Sequence, residues 1–363
     1  MNQSRFSKLS YVLLLFMLVA CQAQATSMPT VATAIPPIGK ITGTIPLKIA
    51  PLYPVIVGFG SLWLLNDSKG TITRLDLASH EIIATIKVGD TRNDIAPNGN
   101  PGSAVVVGDS LWVTSTAEHQ LARIDPKTNQ VVERISLGQF KVFINQHDFL
   151  PYALASDGDS LWVSDVYLNL IRRVDLMTKQ VVATIPEAHA VQVTVSGGGS
   201  IWGIEGLMGN VLRIDPATNK IVARIPLGGK LIDGECGLCS MSLAFGEGSV
   251  WTADNLGKTV SRIDPATNKV VAKIDLGQQV IDVKVWQGAV WAIAAPAPIW
   301  SVAPAKCDAT NSSIVRIDPT TNQMVGKLAA ACAWGLVPDT DALWVMTGTQ
   351  DNPTGYSIIR FEP

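Results

Sequence analysis

The apolar positions of this chain fall in short runs separated by Gly, Asp, Asn and Pro. One stretch, 241–274, shows the pattern clearly, with apolar or β-branched runs at 241–244, 249–253, 260–263 and 270–274. Short runs bounded by turn residues predict β-strands, and these runs have no helical period. The stretch therefore reads as a unit of four strands, named A to D in chain order.

This four-strand unit recurs along almost the whole chain. A Trp in strand B, preceded by a small residue and an aliphatic one, marks each copy: Trp63, Trp112, Trp162, Trp202, Trp251, Trp291 and Trp344. An Arg follows in strand C of every copy, at Arg74, Arg123, Arg173, Arg213, Arg262, Arg316 and Arg360. Repeats of roughly 40 to 50 residues with four short strands are typical of β-propellers. The sequence predicts an all-β, seven-bladed β-propeller with four-stranded antiparallel blades.

The turn between strands C and D has its own signature, Asp-Pro-x-Thr-Asn. It begins at Asp125, Asp215, Asp264 and Asp318. Pro presets the φ angle of the first central position, and Asn tolerates the left-handed conformation that closes a hairpin. His80 and Lys179 take the place of Asn in two divergent copies.

The two ends of the repeat array predict how the ring closes. Residues 40–47 resemble the strand D at 220–227, yet they precede the first blade. The chain ends at 358–363 in a strand C that has no strand D after it. We therefore expect the N-terminal strand to complete the last blade, which would protect that edge from aggregation. The predicted propeller domain is 39–363.

The repeated phrases also carry a family resemblance. Ser-Leu-Trp-Val, Arg-Ile-Asp-Pro-x-Thr-Asn and Val-Val-Ala-x-Ile resemble the repeats of YVTN-type and virginiamycin B lyase-like propellers over residues 40–363. The resemblance implies the same fold and says less about activity, because the matching residues are mostly structural. The repeated Trp and Arg could form a ligand-binding ladder, but packing between blades is the favoured interpretation.

The N-terminal segment predicts export. Arg5 and Lys8 precede an apolar run at 11–20, which is too short to span a bilayer as a mature helix. The run ends in Leu-Val-Ala-Cys, which resembles the lipobox of bacterial lipoproteins with Cys21 as the acylated residue; the alternative is an ordinary secretory signal. Residues 1–20 are the predicted signal peptide and 21–38 the predicted flexible tether. We expect an extracytoplasmic protein anchored by lipid to the bacterial cell membrane or outer membrane.

The composition limits the classes of partner that we expect for this protein. The net charge is -2 and only 16% of residues are charged, so no basic surface for nucleic acid is expected. We expect a monomer whose ligand is a peptide, a protein or a glycan.

Loop lengths locate a candidate binding face. The A–B and C–D turns lie at one end of a propeller, and the B–C loops and D-to-A crossovers lie at the other. The length variation falls in the second group, at 89–101, 138–150, 229–238 and 293–313. Variable loops are where repeat folds gather ligand sites. The rim candidates there are Tyr152, Asp165, Tyr167, Asp254, Asp282, Trp300 and Trp334. For Trp300 and Trp334, covering the core below the blade 6 insertion is an equally good interpretation.

Four cysteines follow Cys21: Cys236, Cys239, Cys307 and Cys332. An exported protein can keep disulfides, and four cysteines allow three pairings. We predict Cys307 with Cys332 and Cys236 with Cys239. A free thiol pair at Cys236 and Cys239 remains an alternative, and a zinc or redox site is a less favoured one.

The family resemblance also suggests an enzyme. Virginiamycin B lyases use histidines at the mouths of adjacent blades, a Glu-x-His step and a Glu ending the Trp strand, around Mg²⁺, to open a lactone-linked peptide antibiotic by elimination. The positions that match are His147, Glu187, His189 and Glu205. This chain departs from the pattern, since its Trp strands do not read Trp-Phe-Thr-Glu and the two histidines lie at different distances from their Trp. Ligand binding is therefore the leading hypothesis, and a Mg²⁺-dependent lyase is the alternative.

Overall fold

The structure is a computed structural model that describes residues 38–47, 51–66, 69–90, 102–116, 118–138, 151–165, 168–189, 191–205, 208–228, 240–296, 312–348 and 355–363. All strands in these residues belong to seven four-stranded antiparallel sheets, the blades. The described part of the chain contains no helix, and hence none with the length and hydropathy needed to cross a membrane. The predicted seven-bladed β-propeller is confirmed.

Six blades use four consecutive strands each. Blades 1 to 3 contain β2 (Pro51–Gly58), β3 (Ser61–Asn66), β4 (Thr71–Asp76), β5 (Ile82–Lys87); β6 (Ala104–Val107), β7 (Ser110–Ser115), β8 (Gln120–Asp125), β9 (Gln130–Ser136); β10 (Pro151–Ser156), β11 (Ser160–Asp165), β12 (Leu170–Asp175) and β13 (Gln180–Ile185). Blades 4 to 6 contain β14 (Val191–Gly197), β15 (Ser200–Glu205), β16 (Asn210–Asp215), β17 (Lys220–Pro226); β18 (Ser240–Gly246), β19 (Ser249–Asp254), β20 (Thr259–Asp264), β21 (Lys269–Asp275); β22 (Gln279–Trp286), β23 (Ala289–Ala295), β24 (Ser313–Asp318) and β25 (Gln323–Ala329).

Blade 7 is closed by the N-terminal strand. It contains β26 (Ala333–Pro338), β27 (Leu343–Thr347), β28 (Ser357–Glu362) and β1 (Lys40–Pro46). Strand β1 pairs antiparallel with β28, and Lys40 lies opposite Glu362. The predicted closure of the ring by the N-terminal strand is therefore confirmed.

The core lies between the blades. Seven hydrophobic clusters each combine residues of two successive blades, one cluster for each seam of the ring. The seven repeat Trp side chains are at most 3% exposed, and each belongs to one of these clusters. The strands A lie innermost, where each contacts the strand A of the next blade. The Trp repeat thus serves packing between blades.

The C–D turns adopt the conformation that the sequence predicts. Asn129, Asn219, Asn268 and Asn322 have φ angles between 53° and 57°, in the left-handed region. His80 and Lys179 take the same conformation, with φ of 61° and 60°. The first Asp of each turn accepts hydrogen bonds from its own turn; for Asp264 the donors are the amide of Ala266 and the hydroxyl of Thr267.

An Arg, a Trp and the turn of the following blade form a recurring contact, the interblade latch. In blade 4, Arg213 lies 5.2 Å from the ring centroid of Trp202, and its Nε donates to Ser200 Oγ at 2.9 Å. Its Nη1 donates to Pro265 O at 2.6 Å and to Asn268 Oδ1 at 3.0 Å, both in the C–D turn of blade 5. The latch recurs at Arg74, Arg173 and Arg262.

The latch explains why the turn phrase repeats together with the Trp and the Arg. The left-handed Asn closes its own hairpin and also receives the Arg of the preceding blade. One short turn therefore sets the geometry within a blade and the contact between two blades. This confirms the structural interpretation of the repeated Trp and Arg.

Three of the seven seams have other contacts in place of the latch. Between blades 7 and 1, His80 takes the place of the turn Asn, and Arg360 pairs with Asp341 and Glu362 of its own blade. Between blades 2 and 3, Lys179 takes the place of the turn Asn; its Nζ lies 5.2 Å from the Trp112 ring centroid and 3.6 Å from Glu133. Arg123 there pairs with Glu133 of its own blade at 2.8 Å. Between blades 6 and 7 no C–D turn can form, because strand D is β1. There Trp286 Nε1 donates to Asp339 O at 2.6 Å instead.

We predict that the substitution Arg213→Met lowers the free energy of unfolding by about 1–3 kcal/mol, because it leaves two partly buried acceptors in the next blade without their donor. Arg316→Met is the matched control, since Arg316 occupies the same repeat position but is exposed at the seam without a C–D turn. It should cost less than about 1 kcal/mol. Urea denaturation measures both, and equal losses would contradict the role given to the latch.

Candidate functional site

The two ends of the propeller differ in their connections. The strand bounds place the A–B and C–D turns at one end, here the turn-rich end, and the B–C loops and D-to-A crossovers at the other, the loop-rich end. The A–B turns are tight, as between Gly246 and Ser249. The longest connections, 88–103, 137–150, 227–239 and 296–312, all join strands at the loop-rich end. The expected segregation of long connections is therefore confirmed.

Three buried carboxylates lie at the loop-rich end. Asp165, Glu205 and Asp254 end the Trp strands of blades 3, 4 and 5, and each is at most 2% exposed. Each follows its repeat Trp by three positions, so their common place in the repeat brings them to one level of neighbouring blades. A buried carboxylate is costly unless hydrogen bonds or a cation accompany it, so the partners of each acid decide what it does.

Glu205 fastens the crossover that enters blade 4. Its Oε1 accepts the backbone amide of His189 at 3.2 Å, and its Oε2 accepts Asn210 Nδ2 at 3.1 Å. Arg224 Nε lies 3.5 Å from Oε1 and forms an ion pair with it. Arg224 also donates to the carbonyl oxygen of Glu187, whose side chain is exposed.

The structure thus brings Glu187, His189 and Glu205 to one crossover, as the Glu-x-His pattern suggests. The contacts of Glu205 are nevertheless those of an anchor: both oxygens accept hydrogen bonds from the chain itself. His189 is half-buried near the end of the crossover, two residues before β14.

Asp165 forms a buried ion pair. Its Oδ1 accepts the amide of Leu168 at 2.9 Å, and its Oδ2 lies 3.7 Å from Arg172 Nη1. Both side chains are at most 3% exposed. Burial lowers the pKa of Arg172 from its ordinary value, and the charge of Asp165 opposes that shift. The pair fills an interior position and leaves little of either side chain to a ligand.

Asp254 has a different environment. Its Oδ1 accepts the amide of Gly257 at 2.8 Å, within the B–C loop of blade 5. A Cβ on Gly257 would lie 2.2 Å from Asp254 Oδ2, so a larger residue at that position would displace the carboxylate. Burial raises the pKa of Asp254, and the amide of Gly257 and the charge of Lys273 partly oppose that shift. Burial therefore favours the protonated form of Asp254.

Several residues that anchor the crossovers are absent from the sequence-based candidates. Glu118 accepts hydrogen bonds from the amide of Asp90 and from Ser115 Oγ, and so holds the crossover into blade 2 as Glu205 holds the one into blade 4. Strand D contributes a cation that reaches a carbonyl oxygen of the preceding blade: Arg134 to Val88, Arg224 to Glu187 and Lys273 to Leu227. The signal available in the sequence is the basic residue at the same place in four strands D, the fourth being Lys327.

Asp282 joins three blades at their inner strands. Its Oδ1 accepts Ser242 Oγ of blade 5 and Lys284 Nζ, the latter at 2.7 Å. Its Oδ2 accepts the amide of Leu336 in blade 7 at 2.7 Å. Asp282 itself is 1% exposed. The structure therefore places this rim candidate between the strands A, where protein groups surround its carboxylate.

Trp334 packs in the core at the seam between blades 7 and 1. It is 8% exposed and meets Tyr356 edge-on, with ring centroids 6.4 Å apart. Of the two interpretations given to this side chain, covering the core is the one that its contacts favour.

The structure describes only some of the remaining candidate residues. Tyr152 lies on β10. Cys332 is half-buried with φ of 54°, immediately before β26, and β18 begins immediately after Cys239, so both cysteines directly precede a strand A. The following candidates lie outside the described residues: Cys21, His147, Tyr167, Cys236, Cys239, Trp300 and Cys307. The two disulfides therefore stay predictions.

The described residues do not fit a Mg²⁺ site. They contain no group of three His, Cys, Asp or Glu side chains placed to hold a metal ion. Glu205 would be the central oxygen donor, yet Arg224 and Asn210 already occupy its oxygens. Mg²⁺ binds carboxylates with near-ideal octahedral geometry, and a guanidinium at the same oxygen opposes a cation by charge repulsion.

Known structures share the architecture. A streptogramin B lyase is 14% identical with a TM-score of 0.65, covering 88% of this chain and 97% of that chain. The virginiamycin B lyase of Staphylococcus aureus is 12% identical with a TM-score of 0.63, covering 88% and 98%. The chain has the fold of virginiamycin B lyase. No protein family and no curated protein matches the sequence.

The similarity shows the fold and not the reaction. A chain of the mitotic checkpoint complex matches with a TM-score of 0.66 at 12% identity, covering 98% of this chain and 99% of that chain. The lyase fold and a checkpoint assembly thus match this propeller equally well. Since one fold hosts unrelated functions, the site must carry the functional argument.

We predict that Glu205→Gln speeds hydrogen exchange at the amide of His189, because the neutral amide accepts that hydrogen bond more weakly and loses the ion pair with Arg224. Glu118→Gln is the matched control, since it weakens the corresponding anchor in blade 2 and should leave the His189 amide unchanged. Exchange followed by NMR or mass spectrometry separates the two variants. Equal protection of His189 in wild type and Glu205→Gln would contradict the anchoring role.

Two carboxylates should change the pH dependence of stability in opposite directions. Hydrogen bonds from Ala266 and Thr267 lower the pKa of Asp264, so its stabilisation is present above the ordinary value of 3.8 and is lost as pH falls through the folded pKa. Burial raises the pKa of Asp254, so stability falls as pH rises from 3.8 through the folded pKa.

Relative to wild type, Asp254→Asn should therefore gain stability as pH rises from about 3 to about 7, while Asp264→Asn should lose it. Urea denaturation across this range measures both differences. The same sign for the two variants would contradict the assignment.

Proposed function

We propose that this protein is a lipid-anchored, extracytoplasmic β-propeller that binds a peptide, protein or glycan through its loop-rich end. The observation that carries the proposal is the gathering of the longest connections at that end, above a closed and regular ring. A rigid scaffold that presents variable loops on one face is a common arrangement for recognition.

The contacts of the buried acids favour binding over catalysis. Glu205, Asp165 and Asp282 each accept hydrogen bonds or ion pairs from the chain itself. Glu205 fixes the end of a crossover, Asp165 fixes a B–C loop and Asp282 fixes the inner strands. A loop face that is held in place in this way binds a ligand at a lower entropic cost. A catalytic acid or base needs a reacting group within hydrogen-bond reach, and these oxygens face their own chain.

Met208 and Leu256 add apolar surface to that end. They lie in the B–C loops of the neighbouring blades 4 and 5 and are 51% and 39% exposed. Apolar side chains beside polar loop residues suit a peptide, a protein surface or the apolar face of a sugar. Screening against each of these ligand classes separates them.

Thermal-shift screening of residues 35–363 against peptide and glycan libraries tests the binding proposal. A ligand at a hundred times its dissociation constant should stabilise the domain by about 2.7 kcal/mol. Met208→Glu should weaken that effect, whereas Met177→Glu in a C–D turn is the matched control and should not. A ligand whose stabilisation falls equally in both variants would contradict the loop-rich end as the binding face.

The anchor has its own test. We expect bacterial cells that produce the wild-type protein to incorporate an alkyne-labelled fatty acid into it. We also expect the wild-type protein to sediment with the membranes. Cys21→Ser should abolish both the label and the membrane fraction. Equal labelling of the two proteins would remove Cys21 as the acylation site.

A Mg²⁺-dependent lyase is the second candidate. The observation in its favour is that Glu187, His189 and Glu205 lie at one crossover of a propeller with the fold of virginiamycin B lyase. A neutral imidazole is suited to proton abstraction near pH 7. If the protein is such a lyase, it should open the ring of a streptogramin. A chelator should stop this reaction, and His189→Ala should slow it by about 10²-fold or more. Absence of ring opening, or full activity of His189→Ala, would reject it for these residues.

A further inference from the structure

The chain enters the propeller at a fixed point. Ile38 is 8% exposed and belongs to the core cluster of the seam between blades 6 and 7, together with Trp286 and Phe361. Gly39 has φ of 86°, and a Cβ there would lie 2.1 Å from the carbonyl oxygen of Glu362. The backbone therefore packs against the end of β28 before β1 begins. Residue 38 is a buried part of the domain.

This entry point lies at the turn-rich end. Strand D of a blade begins where its C–D turn would be, and β1 takes the place of strand D in blade 7. Lys40, the first residue of β1, lies opposite Glu362, the last residue of β28. Trp286, which shares a cluster with Ile38, ends the strand A of blade 6 at the A–B turn. Pairing and packing thus place Ile38 among the tight turns.

We propose that the propeller is attached to the membrane by its turn-rich end, so that the loop-rich end is presented away from the lipid surface. The proposal rests on the function proposed above, since it takes the anchor at Cys21 as given. The loop-rich end is then the end of the domain that is available to a partner in solution or on a facing surface. The loop-rich end then meets its ligand without competing with lipid head groups.

The predicted anchor and the entry point are close in the sequence, since Cys21 and Ile38 are 17 positions apart. A blade strand such as β22, at about 3.3 Å a residue, rises about 25 Å. The loop-rich end is therefore about one strand length farther from the entry point at Ile38 than the turn-rich end is. The attachment biases the orientation and leaves the domain free to tilt.

Two exposed methionines make a matched pair of probe positions. Met177 lies in the C–D turn of blade 3 and is 89% exposed, and Met208 lies in the B–C loop of blade 4 and is 51% exposed. Replacing either with p-azidophenylalanine allows one dye to be coupled without using the cysteines. The two dyes report the two ends of adjacent blades.

The test uses a surrogate anchor. Residues 1–20 are replaced by a decahistidine tag and the protein is bound to vesicles that contain a nickel-chelating lipid and a head-group energy-transfer acceptor. The propeller closes within residues 38–363, so this replacement leaves its strands intact. We expect clearly higher transfer from position 177 than from position 208. Deleting residues 22–34 should widen the difference, because the shorter tether permits less tilt.

A tag after Pro363 is the positional control. The Cβ position of Gly39 is 2.6 Å from Pro363 Cα, so both termini of the domain lie at the same end and the same ranking is expected. Equal transfer from the two positions, or higher transfer from 208, in the tether-deleted protein would overturn the proposal. Because the tag replaces acylation, this result stands apart from the Cys21→Ser experiment, whose failure would remove the lipid anchor alone.

Discussion

The contact on which this structure depends is the interblade latch, in which an Arg lies over the Trp of its own blade and donates to the turn of the next. Apolar packing alone is not directional, so the latch fixes the angle between two blades at the four seams where it forms. The latch uses a carbonyl oxygen and a left-handed Asn that the hairpin needs in any case. Each turn therefore serves two blades, and four seams with the same geometry carry most of the ring.

The seams that depart from the latch follow from local causes. Lys179 cannot accept a hydrogen bond from Arg123, so its own ammonium lies over Trp112 and pairs with Glu133. The ring must also close somewhere, and closure by β1 removes the turn that Arg316 would use. The inner strands then take over, through Asp282 with Leu336 and Trp286 with Asp339. Closure by β1 also determines that the chain enters at the turn-rich end.

The fold could be predicted from the sequence because each of its determinants is local. Trp spacing, the turn phrase and the likeness of 40–47 to a strand D are all visible without knowing any long-range contact. The candidate site was harder to predict, because the same residue type has different partners in different blades. Asp254 and Glu205 hold one place in the repeat, yet Arg224 pairs with the longer Glu205 while burial raises the pKa of Asp254. Glu118 and Lys273 were missed because their partners, the amide of Asp90 and the carbonyl oxygen of Leu227, lie in distant segments.

The repeats hold the blades together, and we propose that the loop-rich end binds the ligand. Site-specific photo-crosslinking in living cells tests this most directly, with p-benzoylphenylalanine at position 208 or 256 for the loop-rich end and at position 177 for the turn-rich end of the full-length protein. The account predicts discrete crosslinked products from 208 or 256 and none from 177. The same products from 177, or products from 177 alone, would contradict it.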